Sequence, residues 1–174
     1  MDCHFPRSVI NAAAKSSRPG KAKIALNILR RMKSVALRPL IVTYNNVINA
    51  CAFAGHPDDD PKAILRIALE TLEEAQETCE PNYITYGTCL RVIGNFEKDK
   101  TERWRLIRDI FRKCCDDGQL TNSVMKQLKS SVTPTQYALL QSEATDERTG
   151  RLRDDCTKNA RLLKMTPPAR YLKR

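Results

Sequence analysis

The sequence predicts an all-α protein, an α-solenoid in which helix–turn–helix repeats stack into a right-handed superhelix. The stretches RPLIVTYNNVINACAFAG (38–55) and EPNYITYGTCLRVIGNF (80–96) share a Pro-x-x-x-Thr-Tyr-polar skeleton at an offset of 42 residues. Each is followed by a second segment with helical apolar spacing, so the repeating unit is a pair of helices. Such a pair exposes an apolar face that only a neighbouring pair can cover.

The first helix of each pair starts with residues that favour strands, because IVTY and YITY are β-branched and aromatic. The residues after Tyr44 favour a helix instead, since their apolar positions keep helical spacing up to Gly55. Those positions are Val47, Ile48, Cys51, Ala52 and Ala54. We therefore expect Thr43 and Thr85 to be helix N-caps.

The second helix of each pair is predicted from caps and apolar stripes. Asp60 can cap, and Pro61 can take the first helical position, of KAILRIALETLEEAQETC. Thr101 is the expected N-cap of the next second helix, which Gly118 ends. The apolar stripe of that helix comprises Trp104, Ile107, Ile110, Phe111, Cys114 and Cys115.

The two ends of the chain continue the pattern in altered form. At the N-terminus, residues 8–16 and 23–34 form a degraded pair. After residue 122, TNSVMKQLKSS is one helix, and VTPTQYALLQ is another with a capping box from Thr133 to Gln136. The sequence thus predicts a degraded repeat at 1–40, repeats at 41–82 and 83–122, a capping pair at 123–147, and a basic C-terminal helix and tail at 148–174.

Charge is unevenly distributed over the 174 residues, whose formal net charge is +10. Residues 1–40 hold nine Lys and Arg and one acidic residue, and residues 148–174 hold nine and two. The middle, 41–147, holds twelve basic and seventeen acidic residues. Basic ends favour a polyanionic partner such as nucleic acid. The alternative is that the charge only keeps the protein soluble.

The seven cysteines form no CxxC pair, and several lie in apolar runs as small core residues. With no secretory signal and no glycosylation sequon, a reducing intracellular compartment is expected. The longest nearly apolar run, VINACAFA (47–54), is too short to span a bilayer. The basic, acid-poor first forty residues weakly indicate organelle targeting, but they also scan as folded helices.

Catalytic signatures are missing: there is no GxGxxG, P-loop or GxSxG motif, and two histidines cannot build a His-rich metal centre. The one dense carboxylate cluster, at 58–60, is interpreted as a loop and helix cap. A metal site there would need further oxygen ligands from elsewhere. We therefore predict no enzyme activity, no cofactor, no metal and no small-molecule substrate.

The repeated stretches resemble the pentatricopeptide repeat, which opens with a Val-Thr-Tyr-Asn-type helix and closes in a Pro-Asp/Asn step. The resemblance rests on VTYNNVINACAFAG, on the Pro-Asn step into YITYGTCLRVIG, and on KIALNILRRMKSVALRPL. It covers roughly residues 1–122. The spacing exceeds the family's usual mid-thirties length, and the excess falls in interhelical loops. Tetratricopeptide repeats would want a Trp and a Gly-Tyr in the first helix, which are not seen.

The resemblance implies binding of single-stranded RNA at about one base per repeat. In the family, the residue after the motif's Tyr and the last residue of the repeat read the base edge. Asn45 and Asn82 match these places, and the family's correspondence for an Asn/Asn pair is a pyrimidine. The alternative is that Asn45 is an exposed first-turn residue and Asn82 a turn residue.

The other copies carry weaker matches to the base-reading places. In 83–122 the equivalents are Gly87, which has no side chain, and Asn122; in the first copy they are Arg7 and Leu40. The aliphatic residues that sandwich the base correspond to Val42 and Ile84, although each could equally belong to the core. We expect Tyr44 and Tyr86 to be packing residues rather than stacking platforms.

Phosphate contacts are expected from basic residues on one helix face and in the basic C-terminal segment. A solvated face is an equal alternative for the arginine row of the Trp104 helix. The phosphate-binding candidates are Arg7, Arg105, Arg108, Arg112, Arg151, Arg153, Lys158 and Arg161.

The sequence thus predicts an RNA-binding helical-repeat protein, or the RNA-binding end of a longer chain, since the first repeat is incomplete. Its expected role is processing, stability or translation of organellar transcripts in mitochondrion or plastid (otherwise the cytoplasm), together with other RNA-processing proteins and without a membrane. The alternative is a protein-interaction scaffold that holds a peptide or helix in the solenoid groove. The acidic middle is the best argument for that alternative.

Overall fold

A computed structural model describes residue 12 and residues 19–165, with side chains described as far as residue 160. Within these residues the chain forms eight helices and no strand, so the all-α prediction is confirmed. The helices are α1 (Lys21–Ser34), α2 (Ile41–Ala52), α3 (Pro61–Thr78), α4 (Tyr83–Phe96), α5 (Lys100–Asp116), α6 (Asn122–Ser131), α7 (Pro134–Ala144) and α8 (Asp154–Met165).

The helices fall into two layers, as the solenoid prediction requires. The first helices α2, α4 and α6 lie side by side, with α4 packed between the other two. The second helices α1, α3 and α5 each pack against the next or preceding first helix. Because a helical pair touches mainly its neighbours, the structure confirms stacked repeats. The predicted helix over 8–16 lies outside the described residues except for residue 12, which is helical.

One apolar core runs through the whole described stack, from Ala22 on α1 to Cys156 on α8. Leu90 and Ile93 of α4 are completely buried, as is Ile48 of α2. Removing side chains of this size from water stabilises the fold by about 1.5–3 kcal/mol each. The cysteine interpretation is also confirmed where the chain is described, since four of the six free cysteines there are buried: Cys51, Cys89, Cys114 and Cys156.

The first helices start earlier than predicted, and the expectation that Thr43 and Thr85 are N-caps is wrong. The N-cap residues are Leu40 for α2 and Asn82 for α4. Asn82 Oδ1 accepts from the backbone N–H of Thr85 at 3.2 Å, and the Thr85 hydroxyl accepts from the backbone N–H of Asn82 at 3.0 Å. Asparagine thus takes the cap, and threonine closes the capping box from the third helical position.

Other helix ends test the remaining cap predictions. Asp60 accepts from the backbone N–H of Lys62, and Thr133 forms the predicted capping box with Gln136, so both predictions are confirmed. The predicted cap Thr101 is wrong, because α5 begins two residues earlier than that cap requires. Its N-cap is Asp99, whose carboxylate accepts from the backbone N–H of Glu102 at 2.7 Å. None of the described helices has the length and apolarity needed to cross a lipid bilayer.

Candidate nucleic-acid interface

Asn45 and Asn82 meet at the junction between α2 and α4. Asn45 Nδ2 donates to Asn82 Oδ1 at 3.3 Å, and Asn45 Oδ1 accepts from the Thr85 hydroxyl at 2.7 Å. Asn45 is only 7% exposed, so it is not the solvated first-turn residue of the alternative interpretation. The hydrogen bonds cross from one repeat to the next, and they orient both amides before any ligand arrives.

The orientation of the Asn82 amide follows from its role as a cap. Its Oδ1 accepts from the backbone N–H groups of Ile84 and Thr85, at 3.0 and 3.2 Å, so the oxygen must face the first turn of α4. Its Nδ2 makes no hydrogen bond within the part of the chain that the structure describes. A primary amide nitrogen carries two donor hydrogens. Asn82 Nδ2 is therefore the group of the pair that is free to donate to a ligand.

Exposed aliphatic side chains flank the amide pair. Val42 precedes Asn45 by one turn of α2 and is 40% exposed. Ile84 follows Asn82 at the start of α4 and is 47% exposed. Neither side chain belongs to the buried core, which was the alternative considered for both. The junction therefore carries solvent-exposed apolar side chains two and three residues along the chain from Asn82 and Asn45.

The next junction, between α4 and α6, has no such amide pair. Gly87 occupies the place of Asn45, and a Cβ added there would lie 3.8 Å from Val124 Cγ2. The N-cap of α6 is Thr121, whose hydroxyl accepts from the backbone N–H of Val124. Asn122 is the first helical residue and is exposed. Asn82 and Thr121 are both the N-cap residue of a first helix. Thr121, rather than Asn122, is therefore the structural counterpart of Asn82.

Less of the first repeat lies within the described residues than of the later repeats. Leu40, predicted to close that copy, is the N-cap residue of α2 and is 54% exposed. Its predicted partner Arg7 lies outside the described residues. A contact between the two therefore stays a prediction.

The arginine row of α5 lies in the second-helix layer and has acidic neighbours. Arg105 donates to Glu102 at 2.6 Å and to Asp109 at 3.2 Å. Arg112 lies 3.9 Å from Glu143 of α7. Arg108 is half-buried. Because Arg105 and Arg112 already pair with carboxylates, their guanidinium groups would bind a phosphate less strongly than unpaired ones.

The C-terminal candidates lie on α8 and on the loop before it. Arg151 is exposed, and Arg153 is exposed with Nε 3.5 Å from a carboxylate oxygen of Asp155. The stem of Lys158 covers Gly118, where a Cβ would lie 2.7 Å from Lys158 Cγ. The side chain of Arg161 lies outside the described residues. Among the described side chains, no hydrogen bond joins Arg151, Arg153 or Lys158 to the amide pair.

The Asp58–Asp60 loop has a structural role, as predicted. Asp59 accepts from the backbone N–H groups of Gly20, Gly55 and His56 at 2.7–3.1 Å, which ties the start of α1 to the loop after α2. Desolvation acts to raise the pKa of Asp59, but these three donors outweigh it, and the pKa is lowered. The described residues contain no cluster of His, Cys, Asp and Glu that could hold a metal ion.

Tyr44 and Tyr86 are packing residues, which confirms that prediction, since both side chains are completely buried. The Tyr44 hydroxyl donates to Glu74 of α3 at 2.7 Å, and burial raises the pKa of Tyr44 to about 12. The Tyr86 hydroxyl donates to Asp117 at the end of α5. Burial, and then the Asp117 carboxylate, raise the pKa of Tyr86 well above its ordinary value. Each tyrosine thus joins the two helices of its own pair.

Among helices α1 to α7, the acidic residues are confined to α3, α5 and α7, which the segment counts along the sequence did not show. The first helices α2, α4 and α6 contain no acidic residue, and neither does the second helix α1, whereas α3 contains four, α5 three and α7 one. The basic residues of the first helices are Arg91, Lys126 and Lys129. Counting charges by helix rather than by segment would have found this distribution.

Comparison with known proteins supports the repeat assignment. A family model described as a pentatricopeptide repeat domain matches residues 9–52. A chloroplastic pentatricopeptide repeat-containing protein of Arabidopsis thaliana is 28% identical over 113 residues, which cover 63% of this chain and 9% of the relative. A second such protein of the same plant is 28% identical over 108 residues, 62% of this chain and 17% of the relative.

The chain spans less than a fifth of the length of either relative. No solved structure matches it significantly. The family model, the two relatives and the stacked helical pairs together confirm that this chain is related to the pentatricopeptide repeat proteins.

Proposed function

We propose that this chain binds single-stranded RNA at the junction between α2 and α4. Asn45 and Asn82 contact the edge of one base, and Val42 and Ile84 lie against its two faces. The hydrogen bond between the two amides carries the proposal, because it joins side chains 37 residues apart. These are the two side chains that the family resemblance pairs as base readers.

The free donor of Asn82 defines which base edges fit. An N–H donor matches the carbonyl oxygen and the unprotonated ring nitrogen of cytosine, and the two carbonyl oxygens of uracil. The pyrimidine preference implied by the resemblance is compatible with this chemistry. Asn45 mainly supports Asn82, since its own oxygen is already bonded to Thr85.

The position of the acidic residues in the stack favours RNA over the scaffold alternative. That alternative rested on the acidic middle of the chain, but the acidic residues of its helices lie on the second helices. The first-helix layer, which holds the amide pair, carries only basic charges and therefore attracts a polyanion.

The biological role that we propose is the binding of organellar transcripts in a mitochondrion or plastid. By binding them, this chain affects RNA processing, stability or translation without catalysing a reaction itself. One relative is named chloroplastic, which supports the organelle. Two or three repeats cover only a few nucleotides. Other RNA-processing proteins are therefore expected to add specificity.

Replacing Asn82 by Asp tests base reading without removing the cap, because Asp is an equally good N-cap residue. The substitution turns the free donor into an acceptor, which suits the ring N–H of uracil and repels the unprotonated ring nitrogen of cytosine, whose only donor is its exocyclic amino group. We expect the ratio of oligouridine to oligocytidine affinity to rise about three- to tenfold, as for a single hydrogen bond. Fluorescence anisotropy with labelled single strands measures this ratio.

Asn95→Asp is the matched control, because it adds the same charge at the exposed far end of α4. It should weaken both oligonucleotides alike and leave their ratio unchanged. An unchanged ratio in Asn82→Asp, or an unchanged preference among homopolymers in Asn45→Ala, would show that the pair does not read a base. Binding that persists undiminished at high salt would favour the scaffold, since RNA binding weakens steeply with salt.

A further inference from the structure

Arg91 is the one charged residue of α2 and α4 together. Its guanidinium group lies 4.5 Å from the centre of the Phe53 ring, and Phe53 is 53% exposed. Its Nη2 donates to Asn49 Oδ1 at 3.2 Å. The side chain thus reaches across from α4 to α2, and the ring contact holds its charge in place at the same junction as the amide pair.

The hydrogen-bonding capacity of Arg91 is mostly unused inside the protein. A guanidinium group carries five N–H donors. Asn49 receives one of them, while Nε is buried and has no hydrogen-bond partner in the described part of the chain. No carboxylate of the described residues forms an ion pair with Arg91, in contrast to Arg105 on α5. A held cation without a counter-anion is a site for an anionic group.

Arg91 reaches α2 at Asn49, about one helical turn beyond Asn45. Asn49 lies four residues after Asn45 on α2, and Arg91 lies four residues after Gly87 on α4. Four residues rise by about 6 Å along a helix. A base edge at Asn45 and Asn82 would therefore leave the ribose and phosphate of the same strand beside Asn49 and Arg91.

We propose that Arg91, held by Phe53 and Asn49, binds a phosphate of the RNA strand whose base lies at the Asn45–Asn82 pair. This inference rests on the RNA binding proposed above and adds the group that contacts the backbone. The equivalent of Arg91 in α6 is Ser130, and the equivalent of Phe53, which follows α2, is Asn95 of α4. The junction between α4 and α6 therefore lacks this phosphate site.

The test is the salt dependence of oligonucleotide binding by the full chain. Arg91→Gln should weaken oligouridine and oligocytidine by the same factor, about three- to tenfold, and should reduce the slope of log K against log salt by about 0.7. Fluorescence anisotropy between about 50 and about 200 mM salt measures both quantities. The control Arg66→Gln removes an exposed arginine of the second-helix layer and should change neither affinity nor slope.

Arg91→Lys separates a lost phosphate contact from a folding defect, because it keeps the charge and a long apolar stem. It should retain the slope of the unsubstituted chain and lose part of the affinity. An unchanged slope in Arg91→Gln, or a lowered slope in Arg91→Lys, overturns the phosphate assignment and leaves the proposed RNA binding standing. Failure of the unsubstituted chain to bind RNA overturns both the RNA binding and the phosphate assignment. Equally strong competition by polyglutamate overturns the phosphate assignment and indicates that Arg91 binds a carboxylate.

Discussion

The two junctions between first helices use the same helical framework in different ways. Between α2 and α4, the buried Asn45 bonds to Thr85 and Asn82, so polar groups fill the contact. Between α4 and α6, the matching places hold Gly87 and Val124, so the contact is apolar.

The junction between α4 and α6 is also closely packed near the C-terminal ends of the two helices. A Cβ added at Gly94 would lie 2.9 Å from Ser131 Oγ, and the Ser131 hydroxyl donates to the backbone carbonyl of Leu90 at 3.2 Å. The absence of a side chain at Gly94 lets α6 approach α4 closely. The comparison indicates that one junction is built to present polar groups and the other to hold the stack together.

The largest effect is expected from Gly94→Val at the tight junction. The Cβ alone conflicts with Ser131, and the two methyl groups add bulk to a packed contact. We expect a loss of about 1–3 kcal/mol in the free energy of unfolding, as for other overpacked cores. Urea denaturation followed by circular dichroism measures it.

Gly87→Ala on the same helix is the matched control. Its Cβ would meet Val124 at an ordinary contact distance of 3.8 Å. Because alanine favours the helix over glycine, stability should rise by up to about 1 kcal/mol. Equal changes in the two variants would contradict the difference in packing along α4.

A smaller effect is expected from Thr85→Val at the polar junction. It removes the donor to Asn45 Oδ1 and the acceptor for the Asn82 backbone N–H. Unpaired groups of this kind cost about 1–2 kcal/mol, measured again as the free energy of unfolding.

The reciprocal change Val124→Thr places a hydroxyl at the equivalent apolar position. If the junctions differ as described, this change should also destabilise the protein, whereas a neutral result would show that the junction between α4 and α6 tolerates polar groups.

A double-mutant cycle tests the Asn45–Thr85 hydrogen bond directly. Asn45→Ala and Thr85→Val should show a coupling energy of about 0.5 kcal/mol or more. Strict additivity would mean that the Asn45–Thr85 hydrogen bond contributes nothing.

The smallest effect is expected from Gly87→Asn, which copies the reading residue of the first junction into the second. The space beside Val124 accepts a Cβ, and Thr121 supplies a hydroxyl where Asn82 stands in the other junction. We expect stability to change by less than about 1 kcal/mol. Affinity for single strands should rise about two- to fivefold, since one hydrogen bond is added.

Anisotropy with oligonucleotides of increasing length checks this gain. It should appear only with strands long enough to reach both junctions. A gain that is independent of strand length would contradict a second base position. The control Gly87→Ala should not change affinity.

Much of the fold was predictable because its signals are local. The offset of 42 residues between Tyr44 and Tyr86, and the caps at Asp60 and Thr133, depend on neighbours within one or two turns. The errors have a local cause as well. Thr85 looks like a cap until Asn82 competes with it, and the same ambiguity displaced Thr101 in favour of Asp99.

The candidate site was predictable in part. The pair Asn45 and Asn82 came from the family resemblance, and the structure shows that the two amides touch. The phosphate candidates on α5 were predicted from helix spacing alone, which does not reveal that Arg105 has two acidic neighbours. Arg91 was not singled out, because its interest depends on Phe53, which lies 38 residues earlier in the chain.

The sequence by itself determined the repeat, the helical pairs and the exclusion of known catalytic motifs, because periodicity, caps and motifs are properties of nearby residues. Only the tertiary structure decided which helices share the acid-free layer and, among the described residues, which amide group keeps an unpaired donor and which arginine lies without a carboxylate. Those features arise from packing between repeats, in contacts that join residues about forty positions apart.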